Sequence, residues 1–213
     1  MAERFGAEGF SVALIARNEE RLAAGVSTLR AGGITAFAFP ADAGDPTSIR
    51  AAIKSIRSQM GSITVLHWNA YGGLDVGDLL TADPVALRGV FDVVVFGLLA
   101  ATDEARSDLK GSDGGAILVS NGGFGEASSE MDEAATNLHA MGIALASAAK
   151  DKLAGLLAQR LKGEGIYVGE IMTFGTIKGT PSDNPSSVDP AIIANKFWEM
   201  YQSRSQTRAT IRQ

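Results

Sequence analysis

Two kinds of apolar run alternate along this chain. The first is short and almost wholly apolar: residues 10–16 (FSVALIA), 34–40, 63–68, 116–120 and 166–172. Runs of this length with few polar residues predict strands covered on both faces. The second is longer and repeats its apolar residues at helical spacing. Residues 18–31 carry Leu22, Val26 and Leu29 on one face and stop at Gly32-Gly33. Asp45-Pro46-Thr47 starts a helix with Ile49, Ile53 and Ile56 on one side. Residues 84–110 predict one long helix, or a helix with a soft break near Gly97, and residues 143–162 predict another. Residues 2–8 read as the end of an amphipathic helix stopped by Gly9, residues 190–201 as a short helix, and residues 209–211 as a last strand. The polar stretches 121–139 and 178–190 read as loops.

Strands and helices therefore alternate, with connections that do not suit hairpins between neighbouring strands. That pattern predicts an α/β, doubly wound parallel sheet in three layers, with ligands at the carboxyl ends of the strands. The 213 residues predict one domain, 1–213. A net charge of −5 argues against a nucleic-acid partner, because phosphate binding needs clustered Lys and Arg. The absence of cysteine excludes disulfides, thiol nucleophiles and thiolate metal sites. No apolar run reaches the roughly 18 residues expected of a membrane span, and the charged start MAERF does not read as a signal peptide. A cytoplasmic protein with no membrane partner is expected.

A series of segments then carries a resemblance. Residues 9–18 (GFSVALIARN), Pro40-Ala41-Asp42-Ala43, Trp68-Asn69-Ala70-Tyr71, residues 91–97 (FDVVVFG), Ala146-Ser147-Ala148-Ala149-Lys150, Gly165-Ile166-Tyr167-Val168 and Phe174-Gly175-Thr176-Ile177 follow one another in order. The series resembles the short-chain dehydrogenase/reductase family, from its second strand onward. No single motif is specific; the ordered series is. The resemblance implies a Rossmann-like fold and an NAD(P)(H)-dependent oxidoreductase acting on a carbonyl or alcohol.

For the cofactor, the resemblance points to Arg17, Asp42, Asn69, Ala70, Lys150 and Thr176. Arg17 follows the first predicted strand, where a cation suits the 2′-phosphate of NADP and thus favours NADP over NAD. Asp42 takes the place of an adenine contact. Asn69 and Ala70 close a strand beside the cofactor. The family's first strand and its Gly-rich pyrophosphate turn have no counterpart here; the chain opens inside the helix that should follow them. That strand lies mid-sheet in the family, and each unpaired backbone group left buried costs roughly 1–3 kcal/mol. The gap implies a start upstream of Met1, another segment in its place, or direct pairing of its two neighbours.

For catalysis, the resemblance gives Lys150 and Ser120. The family's Tyr falls on Ala146 and its Asn on Val94, neither of which can handle a proton. The family's Ser falls on Gly122, or on Ser120 after a two-residue shift. Tyr71 and His139 are distant substitutes for the Tyr, whereas His67 inside an apolar strand reads as a core residue. No metal site is expected, since neither histidine has ligand spacing with an acid. Two functions follow: an oxidoreductase with a degenerate site, or a non-catalytic nucleotide-binding or dimeric scaffold protein, a pseudoenzyme on the same fold. A homodimer or homotetramer through helices 84–110 and 143–162 is implied, because the family pairs these helices across a two-fold axis.

Overall fold

The computed structural model describes residues 1–212; Gln213 lies outside the described residues. The elements run α1 (Ala2–Gly6), β1 (Val12–Ala16), α2 (Glu19–Ala31), β2 (Ala36–Pro40), α3 (Pro46–Met60), β3 (Val65–Trp68) and α4 (Pro84–Phe91). A π-helical turn (Asp92–Phe96) leads into α5 (Gly97–Gly111). Then come β4 (Ala116–Gly122), α6 (Ser129–Asn137), α7 (Met141–Leu161), β5 (Tyr167–Thr173), α8 (Pro190–Ser203) and β6 (Arg208–Ile211). Helix starts follow local chemistry: Asn18, Asp45, Asp83 and Asp189 each accept a backbone N–H of the first turn, the last three with proline next in line.

All strand pairs are parallel, as the alternation predicts, but the strands form two sheets. One holds β1 and β2; the other holds β3-β4-β5-β6 in that order. Among the described residues no strand stands between β1 and β3. The two do not pair with each other, so the expected alternative of direct pairing is not what the described residues do. Val12 to Ile15 of β1 are only half-buried, so water reaches this edge and lowers the penalty expected for buried unpaired groups.

Helices join the two sheets. Ile117 and Val119 of β4 enter a core with Ile49 and Ile53 of α3, Leu98, Ala105 and Leu109 of α5, and Ile15 of β1. Leu118, on the other face of β4, enters a core with Phe5 of α1, Phe10, and Phe197 and Met200 of α8. Alternate strand residues thus serve opposite faces, which gives three layers. A smaller cluster of Val26, Leu29 and Ala36 lies beneath α2.

Two expectations change, and between them one of two alternatives is selected. The stretch 121–139 is not merely a loop: it contains α6, whose Ser128 side chain accepts from Met131 N while Glu130 and Asp132 sit at the positive helix end. The soft break near Gly97 is the π turn just before it. Gly97 is required there, since a Cβ would strike the Ala43 carbonyl oxygen and the Trp68 ring. The 28-residue helix Pro84–Gly111 is also long and apolar enough, by length and composition alone, to cross a membrane. Scattered polar residues hide this from a count of unbroken apolar residues. Its Val90, Val94, Leu98, Ala101, Ala105 and Leu109 enter the protein core at helical spacing.

Candidate active site

The two positions that lack family chemistry meet in space. Val94 lies in the π turn and Ala146 in α7, and both are fully buried. They share one apolar cluster with Val76, Val90, Ala140 and Ile143. Val76 comes from the connection between β3 and α4. It approaches so closely that a Cβ on Gly142 would collide with its side chain. The place of a proton-transfer pair is therefore filled by a dry aliphatic plug. Val76 escapes a reading of the sequence, where it is one apolar residue in a Gly-rich connection.

One turn beyond Ala146, Lys150 is 5% exposed. Its ammonium makes no hydrogen bond among the described residues. Burial pushes its pKa down to about 8, against the opposing pull of the Glu170 carboxylate. Ser120, one of the two alternatives for the family Ser, is engaged: its Oγ lies 2.9 Å from His67 Nε2. Gly122, the other, ends β4 without a functional side chain. His67 is more than core filling, since it holds this hydroxyl while its ring packs edge-on against Phe197 at 5.3 Å. Desolvation pushes the imidazole down to about 3, with the Met1 amino group and Lys150 adding to the effect. It is therefore neutral at ordinary pH. His67, Ser120 and Lys150 form one electrostatic neighbourhood, whereas Tyr71 is 61% exposed and its pKa is raised by burial and by Asp75. His139 is also exposed, in a left-handed conformation beside Gly77.

The cofactor candidates divide. Arg17 is exposed directly after β1, and no carboxylate pairs with it among the described residues. Asp42 follows β2; its Oδ1 accepts from Gly44 N at 2.8 Å, and its backbone N–H donates to Ser48 Oγ at 3.0 Å. Asn69 is exposed just past β3, and Ala70 packs against the main core. Thr176 is tied into its own loop. Its hydroxyl lies 2.7 Å from Ser187 Oγ and accepts from Asn184 Nδ2 at 2.8 Å, while the neighbouring Ile177 bridges Val188.

The family model described as short chain dehydrogenase matches residues 1–186. The chain belongs to the short-chain dehydrogenase family. No curated protein matches the sequence. Solved structures agree on the fold. A putative short-chain dehydrogenase/reductase from Burkholderia xenovorans superposes with a TM-score of 0.85 at 18% identity, covering 99% of this chain and 86% of that one. A metagenomic short-chain oxidoreductase in complex with NADP gives 0.82 at 19% identity, covering 99% and 89%. L-Sorbose reductase from Gluconobacter frateurii, complexed with NADPH and L-sorbose, gives 0.82 at 18% identity, with the same 99% and 89%.

Proposed function

We propose that this chain is an NAD(P)(H)-dependent oxidoreductase with a degenerate active site, preferring NADP and acting on a carbonyl or alcohol. The observation that carries this reading is Lys150. Its side chain is largely buried while its ammonium has no hydrogen-bond partner among the described residues, so ligand hydroxyls at this position would give it partners. Arg17, exposed and unpaired, supplies the cation for a 2′-phosphate. Asp42, Asn69 and Ala70 line the same cofactor, and Thr176 braces the loop at residues 176–188 beside it. These residues fit a nicotinamide dinucleotide, which when bound supplies the hydride.

In this reading Lys150 has two tasks. It donates to the ribose, and with a pKa near 8 it exchanges a proton with the substrate oxygen at working pH. Ser120 polarises that oxygen. With neutral His67 donating from Nε2, the Ser120 hydroxyl proton stays free for it.

A second reading rests on the plug around Val94 and Ala146: a non-catalytic nucleotide-binding protein or dimeric scaffold. Exposed Phe96, Leu99, Leu145 and Leu156 support a homodimer or homotetramer through the helices spanning 84–110 and 143–162 in either case. A cytoplasmic location without a nucleic-acid partner fits the net charge of −5.

Titration with NADPH and NADH, followed by nicotinamide fluorescence and melting temperature, separates the readings. NADPH should bind more tightly than NADH, and Lys150→Met should weaken it about 10- to 100-fold, the worth of hydrogen bonds to a charged group. No response to either nucleotide at millimolar concentration removes the oxidoreductase reading. Binding without turnover across a carbonyl panel selects the scaffold.

A further inference from the structure

Glu170 is a buried acid that the proposed chemistry does not use. It stands in the middle of β5, opposite Val119 of β4, and is 1% exposed. Carboxylates are almost never buried this deeply unless paired. Its Oε1 accepts from Asn121 Nδ2 at 2.8 Å, but its Oε2 is sealed from solvent and has no hydrogen-bond partner.

Four charged groups meet here: Lys150 and Asp151 from α7, Glu170 from β5 and Arg208 from β6. Hydrogen bonds divide them unequally. Arg208 Nε donates to Asp151 Oδ1 at 2.6 Å, and the same guanidinium donates to the Asp151 carbonyl at 2.8 Å. Arg208 Nε also stands 3.5 Å from Glu170 Oε2, a charge contact without a hydrogen bond. Asp151 and Arg208 are partly exposed beside a cavity of about 340 Å³, so water completes their solvation. Two acids and two bases leave the set neutral. Lys150 and Glu170 are its two deeply buried members, and neither has a hydrogen-bonded ion partner among the described residues.

Asn121 fastens the carboxylate to the helix that carries the ammonium. Its Nδ2 donates to Glu170 Oε1 and also to the Ser147 carbonyl at 2.9 Å. Ser147 is buried on α7, three residues before Lys150, and so lies on the same helix face. Charges in such a dry interior act on one another beyond contact distance. Glu170 is the charge that pulls Lys150 upward while burial pushes it down. From β3, His67 also faces Lys150 but is neutral at ordinary pH.

We propose that Glu170 is the counter-ion of Lys150, a positioning residue that acts across the packing of α7 on β5 to keep the ammonium charged. Its consequence for hydride chemistry rests on the reading of Lys150 as the group that exchanges a proton with the substrate oxygen; the pairing itself does not. Burial raises the Glu170 carboxyl to about 7, with Asn121 and Arg208 opposing and Asp151 reinforcing the shift. Lys150 holds its proton up to about 8. Between these values both groups are charged, and Lys150 is able to donate to a ribose and still release a proton.

The test follows both titrations in the full chain without nucleotide, so that a failure of cofactor binding leaves it standing. Carbon-13 shifts of Lys150 Cε and Glu170 Cδ read the two midpoints. Glu170→Gln retains an acceptor for Asn121 and removes the charge. It should lower the Lys150 midpoint from about 8 to about 7, the effect of losing one nearby opposite charge. Lys150→Met should raise the Glu170 midpoint by the same amount, because coupling between two sites is mutual. This second variant keeps the test open if the first folds poorly. Asp151→Asn disturbs the neighbouring pair and should leave Lys150 near 8, whereas general loosening of the network would move it. Unmoved midpoints in Glu170→Gln and Lys150→Met, a change in only one of them, or an equal change of Lys150 in Asp151→Asn overturns the proposal.

Discussion

The two sheets of this molecule are held by different forces. In the four-stranded sheet, β4 and β5 carry strand partners on both sides, and Ile117, Leu118, Val119 and Ile171 are essentially sealed from water. In the two-stranded sheet, β1 has one partner, and Val12 to Ile15 remain half-buried over a cluster of three buried residues. The smaller sheet is attached to the larger one through helix packing. An ion-pair cluster reinforces that attachment: Arg57 of α3 donates to both carboxylate oxygens of Asp108 on α5 and to Glu104. A pair of strands can thus be kept in a fold by its helices, and its local stability then depends on side chains rather than on backbone ladders.

This contrast sets the order of expected effects. The largest is Leu118→Ala, which should cost about 4 kcal/mol because a fully packed β4 cannot collapse around the void. Leu29→Ala, in the small cluster beneath α2, should cost about 2 kcal/mol, since that edge can close in. Urea denaturation measures both, and equal costs would erase the distinction between the sheets. Next comes Asp108→Ala. Breaking a fully buried pair costs about 3–5 kcal/mol. Arg57 is about a third exposed, so solvent screens part of the loss and about 1–2 kcal/mol is expected. Hydrogen exchange should accelerate in β1 and β2 more than in β4 and β5; uniform acceleration would show that α3 does not specifically hold the smaller sheet.

A further contrast lies in the pH dependence. Glu170 is raised to about 7, so it binds a proton in the folded chain that it lacks when unfolded, between about pH 4.5 and 7. That contribution falls as pH rises. His67 is lowered to about 3, so the unfolded chain binds the extra proton between about pH 3 and 6.5, and that contribution grows with pH. From about 4.5 to 6.5 the two slopes oppose each other. Glu170→Gln should uncover the His67 slope, so that the variant gains stability relative to the parent as pH rises from 5 to 7. A constant difference over that range would mean that Glu170 does not titrate as its burial implies.

Much of this protein is local and was legible in the sequence. The helix starts at Asn18, Asp45, Asp83 and Asp189 follow from side-chain oxygens placed two or three residues before free N–H groups. The five core strands follow from short apolar runs. The lack of proton chemistry at Ala146 and Val94 follows from residue identity alone, because no fold gives an alanine or a valine a transferable proton. The start of α6 was also local, in Ser128 and the acids after it, but the polarity of its stretch disguised it as loop.

What the tertiary structure decided depends on residues far apart in the chain. Val76 seals the space around Ala146, which is 70 residues further on, and nothing near it in sequence announces that contact. His67 finds Ser120 across 53 residues, which turns an apparent core histidine into the holder of a candidate hydroxyl. Glu170 sits in an apolar strand run, and only the assembled sheet shows that one of its oxygens is left without a donor beside a cavity. The division into two sheets belongs here too. The alternation of strands and helices specifies parallel pairing, but which edges meet is settled by packing between α3 and α5 and between α1 and α8, where contact free energy comes from side chains that the local pattern cannot match to one another.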